Sequence, residues 1–129
     1  MAYGTTVRLE APFAEAVERV RALLKEQGFG VLTEIDVRAT LRDKLGEEME
    51  DYLILGACNP PLAHRALEVD RRIGLLLPCN VVVRAEEGHT VVEALDPQVM
   101  VSVAERPELK PIADEAAGRL NAALDALRS

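Results

Sequence analysis

The amino-acid sequence predicts an α+β fold, a mostly antiparallel sheet of about five strands with helices packed on one face. Residues near the N-terminus alternate with the period of two that is typical of strands. Two longer segments repeat their apolar residues with helical spacing, and a two-residue turn joins two apolar strands. With 129 residues, of which 49% are apolar, the chain is expected to form a single domain over residues 1–129.

The first part of the chain predicts a strand, a helix and a second strand. Residues 3–9 alternate between a bulkier face and a smaller or more polar face, as in a half-buried strand. The apolar spacing then becomes helical, with Pro12 suited to the first turn and Gly28 suited to the position after the last turn. Residues 29–37 alternate again, which predicts a strand with one apolar and one mostly polar face.

A short helix and a buried strand are predicted next. Thr40 and Asp43 resemble a capping box, and Gly46 is placed to end the helical turn. The acidic residues within 47–51 are interpreted as a solvated loop rather than a metal site. Residues 52–58 are apolar at both odd and even positions, which is typical of a strand covered on both faces. We therefore expect this strand at the centre of the sheet.

The second part of the chain predicts a helix, a hairpin and a final helix. Asn59 is a favourable N-cap and Pro60 a favourable first helical residue, so a helix is expected to run to about residue 70. Glu87-Gly88 can form the two-residue turn of a β-hairpin. A partly apolar segment follows at residues 99–103, and residues 107–128 carry the apolar stripe of the last helix.

The predicted hairpin register sorts residues onto two faces of the sheet. A two-residue turn places Val83 opposite Val92 on one face. The other, open face collects the polar residues Thr6, Arg8, Glu34, Asp36, Asn80, Arg84, Glu86 and Glu93. The strand at residues 52–58 adds an apolar strip to this face, and such a surface is covered by a second copy of the chain, a ligand, or a helix or loop.

Composition excludes several classes of function. The net charge is −7, from 15 Lys and Arg against 22 Asp and Glu, and only 3% of residues are aromatic. This charge repels phosphate and leaves few stacking platforms, so we expect no nucleic-acid partner. No long apolar run or N-terminal leader is visible, so we expect no membrane partner and a cytoplasmic location, where the two cysteines remain thiols.

The candidate site is centred on the two cysteines. It comprises Cys58, Asn59, His64, Cys79 and Asn80. Cys58 immediately precedes a predicted helix N-terminus, where the helix dipole can activate a thiol as a nucleophile or ligand-binding group. The alternative is that both thiols are structural, because strand parity places Cys79 with the buried valines. The Cys and His spacing matches no standard zinc site, so no metal is expected, and no motif points to a cofactor.

Two blocks of sequence resemble a known family. GACNPPLAHRAL at residues 56–67 and GLLLPCNVVV at residues 74–83 are similar to the signature of the bacterial and archaeal family called domain of unknown function 302. The resemblance implies an α+β domain with an outline like that of the TATA-box-binding protein, often dimeric. It implies no reaction, cofactor or catalytic residue, and likeness in fold to a DNA-binding protein does not transfer DNA binding.

Two functional hypotheses follow. The first is a homodimeric small-ligand-binding or interaction module without established catalysis. The alternative is a thiol-dependent enzyme or redox sensor that uses Cys58, with Cys79 as the resolving partner.

Overall fold

Five antiparallel strands form one sheet in the computed structural model, which describes residues 3–128. The strands are β1 (Gly4–Leu9), β2 (Gly30–Asp36), β3 (Tyr52–Cys58), β4 (Cys79–Glu86) and β5 (His89–Leu95). They are hydrogen-bonded in the order β1-β5-β4-β3-β2, and every neighbouring pair is antiparallel. The prediction of an α+β fold is confirmed.

The described residues also form five α-helices. They are α1 (Phe13–Glu26), α2 (Val37–Leu45), α3 (Pro60–Val69), α4 (Gln98–Ala104) and α5 (Lys110–Leu127), with short 3₁₀ segments at Arg71–Leu76 and Pro107–Leu109. The segment predicted only as partly apolar, residues 99–103, lies within α4. No helix within residues 3–128 is long and apolar enough to cross a membrane.

The main hydrophobic core lies between one face of the sheet and the helices α1 and α5. Val20 of α1 and Leu124 of α5 belong to one buried cluster with Leu55 and Val83 of the sheet. A smaller cluster lies where α3, α4 and α5 meet the 3₁₀ segments. The face opposite α1 and α5 is called the open face below.

Local signals predicted several element ends correctly. Glu87 and Gly88 have φ angles of 39° and 86°, as the two-residue hairpin turn requires. The turn aligns Val83 with Val92, so the predicted hairpin register is confirmed. Gly46 ends α2 with a φ of 68°, the left-handed conformation that favours glycine.

The prediction that residues 52–58 form the central strand was wrong. They form β3, which is interior, but β1 pairs with β5 and thereby moves β4 to the centre. The strand is also covered unequally. Leu53 and Leu55 are buried in the core, whereas Tyr52 and Ile54 are partly exposed on the open face.

A β-bulge between Val31 and Thr33 reverses the faces of the remainder of β2. Glu34 therefore aligns with the core residue Leu55 and forms an ion pair with Arg21 of α1, at 2.6 Å. The prediction that Glu34 lies on the open face was wrong, because the alternation of residues 29–37 contained no signal for the extra residue.

The same bulge directs an apolar residue to the open face. Ile35 aligns with Ile54 there and is 49% exposed. Asp36, which was also predicted for the open face, instead caps α2 by accepting a hydrogen bond from the backbone N–H of Ala39, at 2.9 Å. The helix consequently begins at the residue after Asp36, before the capping box predicted at Thr40.

Candidate functional site

Both cysteines line one small cavity, where the end of β3 and the start of β4 meet α3. The antiparallel register pairs Ala57 with Cys79, so Cys58 lies one residue beyond that pair. The cavity, called the thiol cavity below, has a volume of about 30 Å³. The two signature blocks of the sequence therefore converge at one place in the fold.

The walls of the thiol cavity are almost entirely apolar. Phe29, Leu62, Leu77 and Ile112 come from four separate segments of the chain and surround the two thiols. Met100 of α4 belongs to the same lining. The cavity is thus a low-dielectric environment, where a buried charge is costly unless it has a partner.

Asn59 combines a position in the cavity lining with a structural role. Its side-chain Oδ1 accepts a hydrogen bond from the backbone N–H of Leu62 at 3.3 Å, which caps α3 as predicted. Its amide nitrogen lies against Gly28, where an added Cβ would approach it to 3.0 Å at a φ of 85°. Asn59 is therefore held between a helix terminus and a glycine turn.

The cavity changes the acidity of one thiol. Burial raises the pKa of the Cys79 thiol, and the nearby Cys58 raises it further. Cys79 is therefore a protonated thiol at neutral pH. This property is the opposite of what an activated cysteine nucleophile requires.

Two of the five candidate residues lie away from the thiol cavity. The side chain of His64 is 74% exposed on α3 and lies 3.3 Å from the carboxylate of Glu68. Asn80 lines a broad, shallow concavity on the open face, together with Tyr3, Tyr52 and Val82. The grouping of His64 and Asn80 with the thiols is therefore not what the fold produces.

The concavity on the open face has a volume of about 410 Å³. One side of it continues into a charged corner of the sheet. There Arg84 binds Glu93 at 2.8 Å and Glu86 at 3.0 Å, and Arg8 lies 3.6 Å from Glu86. Two arginines and two glutamates thus balance one another within the face.

No group of three or more His, Cys, Asp or Glu side chains is placed to hold a metal ion within residues 3–128. The acidic loop at residues 47–51 is mostly exposed, and its Asp51 is engaged by Arg38 at 2.9 Å. The interpretation of this loop as solvent-facing agrees with its position.

A family model described as Domain of unknown function DUF302 matches residues 5–127. The chain belongs to this family. The solved structure of an uncharacterized conserved DUF302 protein from Bacillus stearothermophilus is similar to it, with a TM-score of 0.90 and 35% sequence identity. That similarity covers 97% of this chain and 98% of the other. A comparison with curated proteins found no match.

Met100 is one of several lining residues of this DUF302 domain that sequence reasoning missed, and it is the one that carries a sulfur atom. It lies in α4, about twenty residues from the nearer cysteine, and no motif includes it. Its position in the cavity lining results from the packing of α4 against the 3₁₀ segment Arg71–Leu76 and α5. In the sequence, a single methionine in a partly apolar segment does not indicate that its side chain will line a cavity.

We expect Cys79 to be alkylated by iodoacetamide slowly at neutral pH, with its half-maximal rate at a higher pH than the ordinary thiol value of about 8.5. The reason is the burial that raises its pKa. Site-by-site mass spectrometry across neutral to alkaline pH measures the rate, and the denatured DUF302 domain is the control. Native and denatured rates that agree at neutral pH would contradict the prediction.

The same pKa shift links stability to pH. Because the pKa of Cys79 is higher in the folded state than in the unfolded state, the unfolded thiol ionises first. The contribution of this thiol to stability is complete below about pH 8.5 and is lost progressively as the pH rises above it.

Proposed function

We propose that this DUF302 domain is a homodimeric interaction module that associates with a second copy of itself through the open face of its sheet. The observation that carries the proposal is an exposed apolar row on that face. Ile35, Ile54 and Val82 are successive register partners across β2, β3 and β4. They are partly exposed, and Ile35 is 49% exposed.

The row continues as a polar row across the other half of the sheet. Val82 is the register partner of Glu93, which is the register partner of Thr6. One half of the open face is therefore apolar and the other half polar. A two-fold axis through the face can bring the apolar half of each copy onto that of the other, as an isologous interface requires.

The dimensions of the face suit a modest interface. Five strands about 4.8 Å apart and about six residues long span roughly 24 Å by 20 Å. Two such faces bury roughly 1,000 Å² in total, which is near the lower limit for a specific complex. We therefore expect a dimer of moderate affinity.

Charge favours this face over the rest of the surface. The net charge of −7 opposes association in general. On the open face, however, Arg8 and Arg84 are matched by Glu86 and Glu93. Repulsion between the copies thus originates elsewhere and is screened by salt, so added salt is expected to strengthen the dimer.

Two other hypotheses are less well supported. A cavity of about 30 Å³ has room for a single water-sized group, so a metabolite does not fit the thiol cavity as it stands. The raised pKa of Cys79 also disfavours this thiol as the resolving partner of Cys58 in a thiol-dependent enzyme. The proposal places the protein in the cytoplasm, where its two free thiols persist.

Analytical ultracentrifugation across low- to high-micromolar concentrations tests the proposal. The unmodified protein is expected to dimerise, and Ile54→Lys to raise the dimer dissociation constant about 100-fold, because it introduces a charge into a desolvated apolar row. Circular dichroism checks that the variant is folded.

The matched control is Leu75→Lys. Leu75 is 86% exposed in the 3₁₀ segment, away from the open face, and its replacement is expected to leave dimerisation unchanged. A monomeric unmodified protein, or a dimer that Ile54→Lys does not weaken, would refute the proposal.

A further inference from the structure

We propose that the thiol cavity binds one soft monovalent metal ion, with Cu(I) as the best fit. The ligands are the thiolates of Cys58 and Cys79 and the thioether of Met100. This inference is independent of the dimer proposed above, since the thiol cavity and the open face are separate parts of the fold.

Three sulfur-containing residues from three elements belong to the cavity lining. Cys58 ends β3, Cys79 begins β4 and Met100 lies in α4, and all three line the same space. The chain has only two cysteines and three methionines in total. Both cysteines and one of the three methionines therefore line a single cavity.

The size of the cavity limits what can occupy it. A volume of about 30 Å³ accommodates one water-sized particle, which excludes an organic metabolite and a hydrated cation. A bare metal ion that has exchanged its water for protein ligands does fit. A water molecule would need two to four polar partners, roughly, to be held there.

The chemistry of the walls selects the kind of ion. Within residues 3–128 the cavity lining contains no carboxylate and no imidazole. Its one polar amide, on Asn59, already caps α3. Hard cations such as Mg²⁺ and Ca²⁺ need oxygen ligands, whereas thiolate and thioether ligands suit Cu(I).

Zinc fits this ligand set less well. A structural zinc site takes four ligands, usually thiolates and imidazoles. His64 lies exposed on the outer side of α3, and His89 lies at the hairpin beside Arg8, at 2.8 Å. Cu(I) is satisfied by two or three sulfur ligands, which is the number available here.

Binding exchanges two thiol protons for one Cu(I) ion. The two S–H bonds break and release two protons to solvent. Three Cu–S bonds form, to Cys58, Cys79 and Met100, as the copper ion releases its previous ligands to solvent, and copper remains in the +1 state with no electron transferred. Cys58 and Cys79 are the only titratable side chains in the described lining of the cavity. Affinity for Cu(I) is therefore expected to rise with pH.

The test is an anaerobic titration with Cu(I), supplied as its acetonitrile complex, against the chromophoric chelator bicinchoninate. We expect one equivalent of Cu(I) per chain to be withheld from the chelator. In a weakly buffered solution, proton release should accompany binding.

Variants locate the site. Cys58→Ser and Cys79→Ser are each expected to weaken Cu(I) binding at least about 100-fold, and Met100→Leu about 10-fold. Met100→Leu conserves volume in the core and so tests the site without the loss of a thiol. His64→Ala is the control, because this exposed imidazole lies outside the cavity, and it should bind Cu(I) normally.

The proposal is overturned if the unmodified protein withholds no Cu(I) from the chelator. It is also overturned if either serine variant binds as tightly as the unmodified protein, or if His64→Ala alone weakens binding. If Met100→Leu binds Cu(I) as tightly as the unmodified protein, the thioether is not a ligand, and the three-sulfur arrangement is contradicted.

Discussion

Replacing Leu55 with alanine is expected to lower the free energy of unfolding by about 3–5 kcal/mol. Leu55 has no exposed surface and lies in the middle of β3, within the core that the sheet shares with α1 and α5. Its removal loses apolar burial and leaves a cavity in a tightly packed region. Urea denaturation followed by circular dichroism, at one fixed protein concentration, measures the change.

The chain offers a matched control for this substitution. Leu32 is 69% exposed in β2, and Leu32→Ala removes the same atoms from a site with little burial. Its effect should stay within about 0.5 kcal/mol. Equal losses from the two substitutions would mean that the core is not where the fold places it.

The second substitution with a large expected effect is Gly56→Ala, which should lower the free energy of unfolding by about 1–3 kcal/mol. A Cβ at this position would lie 2.2 Å from Oγ1 of Thr33 and 2.9 Å from Cγ of Pro78. The threonine hydroxyl can rotate away, but the proline ring is fixed to the backbone. The strand must therefore shift, and urea denaturation is again the measurement.

Two further variants distinguish the steric clash at position 56 from the general effect of replacing a glycine with alanine. Gly118 lies at an exposed position in α5, and no atom would lie within 4 Å of a methyl group added there. Gly118→Ala should therefore stabilise the protein by up to about 1 kcal/mol. Thr33→Ala combined with Gly56→Ala should recover part of the loss. If Gly56→Ala proves neutral, the close approach of these segments is refuted.

Much of the secondary structure could be predicted because its causes are local. Asn59 caps α3 by a hydrogen bond to a backbone N–H three residues away, and proline follows it at the first helical position. The turn at Glu87 and Gly88 requires positive φ angles, which glycine accepts readily. Such signals lie within a few residues of the structure that they determine.

The faces of β2 could not be predicted for a different reason. Its alternation of side chains is compatible with a regular strand, and only pairing with β3 reveals the bulge after Val31. One extra residue exchanges every later side chain between the two faces. Glu34 thus lies beside α1, and Ile35 joins the apolar row of the open face.

The candidate site was predictable only in part. Cys58, Asn59 and Cys79 lie at element ends that the sequence marks, and the fold brings these ends to one cavity. His64 was included because it is near in sequence, but the turn of the helix directs it to solvent. Asn80 follows Cys79 directly, and strand alternation places the two on opposite faces.

By itself, the sequence determined the fold class, most element ends and the register of the hairpin, because each depends on periodicity or on turn and cap chemistry over a few residues. The tertiary structure alone decided the strand order, the apolar row on the open face and the presence of both cysteines and Met100 in the lining of one cavity. These features join residues that are distant in the chain, and their proximity depends on which elements pack together over the whole core.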